Sequence, residues 1–242
     1  MGAPDSRPFV PADSAGRWTK GLMVAFLALA LARMASDMCR IDLLSRAATE
    51  GISEAEAAAS DSSQRLIGYL QLGVYAGTSV AFLTWFHRVH RNLVSLGNRR
   101  LKYRSGWTVG GFFVPFLNLV RPWKVMREVW HGSDPSGLER DMAPTDPPAR
   151  NHLGTPDAVG WWWALFVISG FVGRAILIAA RAPNQTLVDL QAFTWLNVAA
   201  DGLDLVSCLV AIHLVSRITV WQARRRDAMV AGGGAGDGAL TP

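Results

Sequence analysis

Leu66-Ile67-Gly68-Tyr69-Leu70-Gln71-Leu72-Gly73-Val74-Tyr75-Ala76-Gly77-Thr78-Ser79-Val80-Ala81-Phe82-Leu83-Thr84-Trp85-Phe86 is a run of 21 residues without a charged side chain. An α-helix rises about 1.5 Å per residue, so such a run matches the roughly 30 Å hydrocarbon core of a bilayer. Three more apolar stretches flank it. Gly21 to Ala32 is uncharged and its helix can continue through Arg33 to Cys39 or Leu43; Ala158 to Gly173 continues through Arg174 to Ala180; Phe193 to Ser216 is interrupted only by Asp201 and Asp204. Spanning helices are therefore predicted over about 18–43, 66–90, 158–180 and 193–220. The first could be a signal peptide, since Arg17 and Lys20 precede a short apolar run ending in Ala28-Leu29-Ala30. Apolar character resumes beyond Arg33, however, and a 16-residue preamble is long for a signal, so the stretch reads as a helix.

Composition agrees with an integral membrane protein. With Gly counted and Tyr left out, about 58% of the 242 residues are apolar, against roughly 45–50% in soluble globular chains, and only 18% are charged. Residues 1–16 and 227–242 are expected to be disordered tails around a membrane domain, 17–226. The segment 132–156, with several Pro and Asp, reads as a linker. Two cysteines cannot build a disulfide scaffold. Cys39 and Cys208 fall at different depths, so two buried thiols are expected.

The net charge of +5 is distributed unevenly. If the N-terminus is cytoplasmic and the four helices alternate, 18 of 24 Lys and Arg residues fall inside, four outside (Arg40, Arg46, Arg65, Arg181) and two within helices. This bias places both termini, the linker and both tails in the cytoplasm. Nine of ten tryptophans lie at or near the inner interface, where indole rings prefer to sit; only Trp195 is outside. The chain also reads as doubled. Laying Phe82 to Arg88 over Ala211 to Arg217 pairs Gly73 with Gly202, and both helices end in basic runs. Such halves would be a parallel repeat.

Between the second and third helices, Val109 to Val120 is too short to span and is broken by Pro115, so the segment 106–131 should re-enter the bilayer or lie at its interface. From Pro122, which suits a first helical position, Trp123, Met126 and Trp130 recur at helical spacing. They predict an amphipathic helix on the cytoplasmic surface.

Trp85, Arg88, Arg91, Asn92 and Leu93, then Gly106, Trp107, Gly110, Phe112, Pro115 and Asn118, then Arg121, Pro122, Met126, Arg127, Glu128 and Trp130 form one long ordered string. In it the chain resembles the bacterial membrane-protein family known as domain of unknown function 4328, over roughly residues 20–220. The resemblance implies a helical architecture in a bacterial membrane and no reaction. The chain departs from the family pattern at Arg104, and at His87 and His90, which weakens any histidine-based mechanism.

Helix rise gives depth. Arg33, Arg174 and Asp204 each lie 13 residues from an inner-boundary residue, about 20 Å into the membrane. Asp37 and Asp201 stand about one turn from Arg33 and Asp204. A charge inside the membrane usually faces a partner or a water-filled cavity, so Arg33, Asp37, Arg174, Asp201 and Asp204 are expected to cluster inside the bundle. The cluster could hold helices in register, or form an outward-facing pocket for an ion, a proton or a small solute. No nucleophile or metal set accompanies it, so no catalytic residue, metal or cofactor is assigned. His87 and His90 read as a wet interfacial pair. Gly73 with Gly77, and Ser169 with Gly173, are small-residue pairs able to seat a neighbouring helix in this chain or in a second copy.

The run from His87 to Arg127 holds nine Lys or Arg residues among aromatic ones. Beside a bilayer it calls for anionic lipid headgroups rather than nucleic acid. Arg88, Arg91, Arg121 and Arg127 either serve as simple positive-inside anchors or gather around Asn118 and Glu128 as a docking site for a lipid head or protein partner, on a face completed by Trp85, Asn92, Gly106, Trp107, Pro115 and Trp130. The expected protein is thus an all-α, four-helix integral membrane bundle of a bacterial plasma membrane, with a central re-entrant or interfacial segment and a cytoplasmic amphipathic helix. Its expected role is that of a non-enzymatic scaffold or sensor working through the basic, Trp-rich face, with lipid, a second copy or a membrane-protein partner bound there. The alternative is a small transporter or channel using the outer Arg/Asp cluster.

Overall fold

The computed structural model describes residues 8–98, 101–135, 158–181, 183 and 186–237, and every regular element among them is helical. The helices are α1 (Asp13–Thr49), α2 (Glu54–Ser95), α3 (Trp107–Phe113), α4 (Arg121–Ser133), α5 (Ala158–Ala179) and α6 (Leu187–Asp237), with a 3-10 turn at Leu117–Leu119 before α4. Four of them, α1, α2, α5 and α6, are long and apolar enough to cross a membrane. The expected linker from residue 136 to 156, and the outer parts of both expected tails, lie outside the described residues.

Three of the four long helices outrun their apolar stretches. α2 begins at Glu54 rather than near 66, because Ser53 and Glu56 form a capping box. The Ser53 N–H donates to Glu56 Oε2 at 3.0 Å and the Glu56 N–H to Ser53 Oγ at 3.2 Å. The alanines that follow favour helix. Thr186 and Asp189 start α6 in the same way, at 2.9 and 3.2 Å. α6 then continues to Asp237, ten residues past the point where the sequence places a tail, and α1 starts at Asp13, inside the other expected tail. At the far end of α2, Gly97 takes φ +85°. That conformation lets the Asn98 N–H reach Leu93 O at 3.0 Å and close the helix.

The chain divides into two compact units. The first comprises the segments up to Thr19, Val80–Gly160 and Ile212 onward. Its core has the stripes of a water-soluble helical domain: Trp85, Phe86, Val89, Leu93 and Leu96 from α2, and Val125, Met126 and Val129 from α4. α6 adds Leu214, Val215 and Ile218, with Gln222 and Arg225 continuing the same buried line. In the register that pairs Gly73 with Gly202, each of these five α6 residues falls on a buried α2 residue, in order. Gly16 lets α1 approach closely here, since a Cβ at that position would lie 3.1 Å from Thr219 Oγ1. The Trp85 indole N–H donates to the same hydroxyl at 3.0 Å.

Polar side chains lock this core. Asn92 accepts from the Val10 N–H at 3.0 Å, donates back to Val10 O at 2.8 Å, and donates to Gln222 Oε1 at 3.1 Å. Gln222 donates in turn to Val89 O and Ser133 Oγ, at 2.8 and 2.9 Å. Arg225, 2% exposed, donates to Leu96 O at 3.1 Å and to Gly132 O and Asp134 O at 3.2 Å each.

The second unit comprises Lys20–Ser79 and Trp161–Ala211. Its surface carries Leu31, Leu66, Tyr69, Leu72, Leu177, Ile178 and Leu209, while Asp37, Gln71, Thr194, Asp201 and Ser207 are buried. Large apolar side chains outside and carboxylates inside reverse the rule of water-soluble domains, as contact with lipid requires. On α1 the buried residues of this unit are Met23, Ala30, Asp37 and Leu44, a strict seven-residue spacing that makes one seam. Of the expected small-residue seats, Gly73 and Gly173 are open, since a Cβ on either would meet nothing within 4 Å, whereas a Cβ on Gly77 would lie 3.9 Å from Leu22 of α1.

Asn92→Ala leaves both Val10 backbone groups and the Gln222 carbonyl without their buried partner. We expect a loss of about 2–3 kcal/mol of stability, read as a lowered midpoint of unfolding in mild detergent by tryptophan fluorescence. An unchanged midpoint would show that the Asn92 bonds carry no net weight.

Candidate functional site

Two groups of side chains have the makings of a site, one in each unit. In the second unit the polar centre is built around Arg33, which lies in the otherwise uncharged part of α1. Its Nη1 donates to Gln71 Oε1 of α2 at 3.0 Å, and its Nη2 to Asn197 Oδ1 of α6 at 3.1 Å. Its Nε lies 3.4 Å from Asp201 Oδ2 and 3.9 Å from Asp37 Oδ2. The other oxygen of Asp37 accepts from Gln64 Nε2 at 2.8 Å, and Gln64 also reaches Ser36 Oγ at 3.2 Å. Asp204 is a neighbour of this group, within electrostatic reach of Arg33 but in no ion pair among the described residues.

Of the five charges expected to cluster, Arg33, Asp37 and Asp201 thus come together, Asp204 stands beside them, and Arg174 does not join. The more buried line of α5 runs through Trp162, Leu165, Ser169, Val172 and Ile176. Arg174 is two residues past Val172, so it points away from that line and is exposed. Gln64, Gln71 and Asn197 were missed by charge counting, though a signal existed. Gln64 and Gln71 stand seven residues apart on one face of α2, and Asn197 is one helical turn before Asp201 on one face of α6.

In the first unit the basic residues do not gather around Asn118 and Glu128. Glu128 instead faces His90, with Oε2 3.3 Å from Nε2, while its other oxygen accepts the Lys102 backbone N–H. His90 Nδ1 lies 3.3 Å from Ser105 Oγ. In a serine, histidine and carboxylate arrangement the histidine can accept the serine proton while the carboxylate orients the ring, but the His90 ring is 1% exposed and enclosed by the core. Next to it, His87 Nδ1 is 3.1 Å from Ser105 O and 3.2 Å from Thr108 Oγ1. The two histidines are therefore not a wet interfacial pair; they fasten the 101–108 loop onto α2.

The arginines find aromatic partners. The Arg121 guanidinium lies 4.6 Å from the Trp107 ring centre and 5.2 Å from that of Tyr103, and Arg127 lies 5.0 Å from that of Trp123. Arg91 and Gly106 are exposed, Arg88 and Asn118 are half-buried, and Trp85 and Asn92 are core residues. Trp130 packs on Trp221 with ring centres 4.5 Å apart. The face α4 buries is Pro122, Val125, Met126 and Val129, so of the expected apolar face of Trp123, Met126 and Trp130 only Met126 is buried in protein, while the two tryptophans are half-buried at its edges.

Ahead of Arg121 the chain makes a tip. Phe113 is 72% exposed and Phe116 87%, with Val114, Pro115, Leu119 and Val120 also exposed. Phe116 has φ +61° and ψ −38°, and the Leu117 N–H reaches Pro115 O at 2.7 Å across it. This is a γ-turn of the strained, positive-φ form, and a bulky residue held there costs about 1–3 kcal/mol. Phe112, at the base of the tip, packs edge-on against Phe82 of α2 with ring centres 6.4 Å apart.

Arg33→Gln strands two buried carboxylates, and breaking a buried ion pair from one side costs about 3–5 kcal/mol. Arg174→Gln, on an exposed position, should change stability by less than about 0.5 kcal/mol. Unfolding midpoints in detergent distinguish the two; equal losses would refute the assignment of Arg33 as the centre of the cluster.

The comparisons with known proteins follow from this same stretch of chain. No curated protein and no solved structure matches it. The family described as Domain of unknown function (DUF4328) matches residues 48–220, which takes in the aromatic-basic segment, Asp201 and Asp204 but stops short of Arg33 and Asp37. The chain belongs to the DUF4328 family.

Proposed function

We propose that this protein is a non-catalytic module of a bacterial plasma membrane, a scaffold or sensor whose first unit faces the cytoplasm and holds anionic lipid headgroups. The observation that carries this reading is Arg121 set over Tyr103 and Trp107 next to the exposed Phe113 and Phe116. Among the described residues no carboxylate pairs with Arg121, so its charge is held in place by rings and left available to an anion. Arg104 and Lys124 are exposed nearby in sequence.

Phe82, which supports the tip through Phe112, lies four residues inside the uncharged end of the Leu66–Phe86 stretch. Four residues of helix rise amount to about 6 Å. That depth suits a tip whose phenyl rings enter the acyl region while Arg121 stays at headgroup level, an interfacial rather than a spanning segment. The positive-inside bias of the sequence supports cytoplasmic termini.

Purified protein in nanodiscs of mixed phosphatidylcholine and phosphatidylglycerol tests the reading, with retained lipid counted by native mass spectrometry. Each basic residue near an anionic surface contributes about 1 kcal/mol, so Arg121→Gln should cut phosphatidylglycerol enrichment about fivefold. Phe116→Ser should weaken retention of both lipids. An unchanged lipid profile in Arg121→Gln, or a second copy or another protein retained in place of lipid, would overturn it.

A further inference from the structure

The polar centre of the second unit carries an imbalance independent of the lipid-binding reading. Around Arg33 stand Asp37, Asp201 and Asp204, three carboxylates to one guanidinium. Arg40, the next cation on α1, is turned to Asp61 at 3.1 Å, and Arg174 is outside the group. The donors of Arg33 are spent in an unexpected way. Its two terminal nitrogens go to the neutral amide oxygens of Gln71 and Asn197, which leaves a single N–H, on Nε, for two carboxylate oxygens. Asp201 Oδ2 and Asp37 Oδ2 both lie within 4 Å of that nitrogen, at 3.4 and 3.9 Å, and neither makes a hydrogen bond with it.

Asp37 is 3% exposed and Asp201 5%. Each therefore buries a carboxylate oxygen that receives no hydrogen bond, and the two oxygens point at the same place. Ionised carboxylates with a buried oxygen that no donor reaches are disfavoured, and two of them sharing a site do not readily both stay ionised. The smallest cation that supplies a donor and balances the charge is a proton. On one aspartate it creates an O–H group able to serve the other, and Arg33, the pair and the proton then sum to zero, with Asp204 beside them outside this balance.

We propose that Asp37 and Asp201, held against Arg33, form a proton-binding site that carries one exchangeable proton between them. The groups facing the site are Arg33, Ser36 and, within electrostatic reach of Asp37, Arg40 on α1, Gln64 and Gln71 on α2, and Asn197 and Asp204 on α6. Tyr75 of α2 is within electrostatic reach of Asp204, and the Ser169 hydroxyl of α5 lies beside Asp204. Arg40 is the one further cation among them and is ion-paired with Asp61, and no cation reaches the pair from another helix among the described residues.

Infrared spectroscopy of the full chain in nanodiscs tests the proposal, because a protonated aspartate has a carbonyl stretch that a carboxylate lacks. The wild-type protein should show this band near neutral pH, shifted by deuterium oxide and by carbon-13 labelling of aspartate, and lose it as pH rises. Asp201→Asn and Asp37→Asn should each remove the band, because the remaining carboxylate then pairs with Arg33 alone. Both variants should fold with an unfolding midpoint no lower than wild type. If one of them does not fold, the labelled wild-type band and the other variant still decide.

Absence of the band in wild type at every pH would overturn the proposal. So would its persistence in both asparagine variants, or its loss only in Asp204→Asn. Suppression of the band by sodium but not by choline would make the occupant a metal cation and would overturn the assignment to a proton.

Discussion

Two helices of the first unit end on one side chain. α2 closes at Leu96 and α4 just past Ser133, and helix C-termini leave carbonyl groups without partners and carry partial negative charge. Arg225 lies between them and donates to Leu96 O, Gly132 O and Asp134 O, so a single guanidinium satisfies both ends. A cation 2% exposed would be a heavy cost in an apolar core; here it answers a need that the fold itself creates. Asn98 adds a second bond to Gly132 O, at 3.0 Å. The stacked polar line Asn92, Gln222 and Arg225 then fixes where α1, α2, α4 and α6 stand within this unit, and the aromatic-basic tip is carried on what they fix.

The second unit faces the opposite problem with the same chemistry. Its outer surface is apolar, so its side chains gain little by leaving lipid for one another, and packing specificity comes from groups that lipid cannot solvate. Arg33 selects its surroundings. The amide oxygens of Gln71 and Asn197, on two other helices, accept from it, and the seven-residue seam of α1 places Asp37 where an apolar residue stands at the other positions. Where the first unit uses amides and a guanidinium to satisfy backbone, the second uses amides to share out a guanidinium among side chains.

The four span-capable helices were legible because a run such as Leu66–Phe86 has no soluble explanation. Their true ends were less so. Ser53 with Glu56 and Thr186 with Asp189 are capping patterns that can be read from sequence, yet they lie in polar segments where apolar counting gives no reason to look. Arg33, Asp37 and Asp201 were legible as partners because charge in an apolar helix is conspicuous, whereas Gln71 and Asn197, equally placed, carry no charge to draw attention. Arg174 shows the limit of depth arithmetic. It fixes a level along the membrane normal but not a direction around the helix axis, and Arg174 has the level without the direction. The basic face failed for a related reason. Charge pairs with charge in a sequence, but Arg121 and Arg127 found Trp107, Tyr103 and Trp123, and such ring partners depend on a chain reversal that pattern alone does not specify.

The doubling in the sequence acquires a physical meaning from the two buried stripes. Under the register that matches Phe82 with Ala211, Trp85, Phe86, Val89, Leu93 and Leu96 fall on Leu214, Val215, Ile218, Gln222 and Arg225. The first three pairs are apolar on both helices. The last two differ, with leucine on α2 and a polar side chain on α6. Those two polar side chains bond to α2 itself, Gln222 to Val89 O and Arg225 to Leu96 O. Equivalent positions have thus become complementary, one helix offering backbone acceptors and the other side-chain donors. Two identical apolar stripes could slide along each other by one turn at little cost. A donor that must meet a particular carbonyl cannot, because a slip would leave both buried and unpaired. The polar side chains at these two positions of α6 are therefore what sets its register against α2 in the first unit.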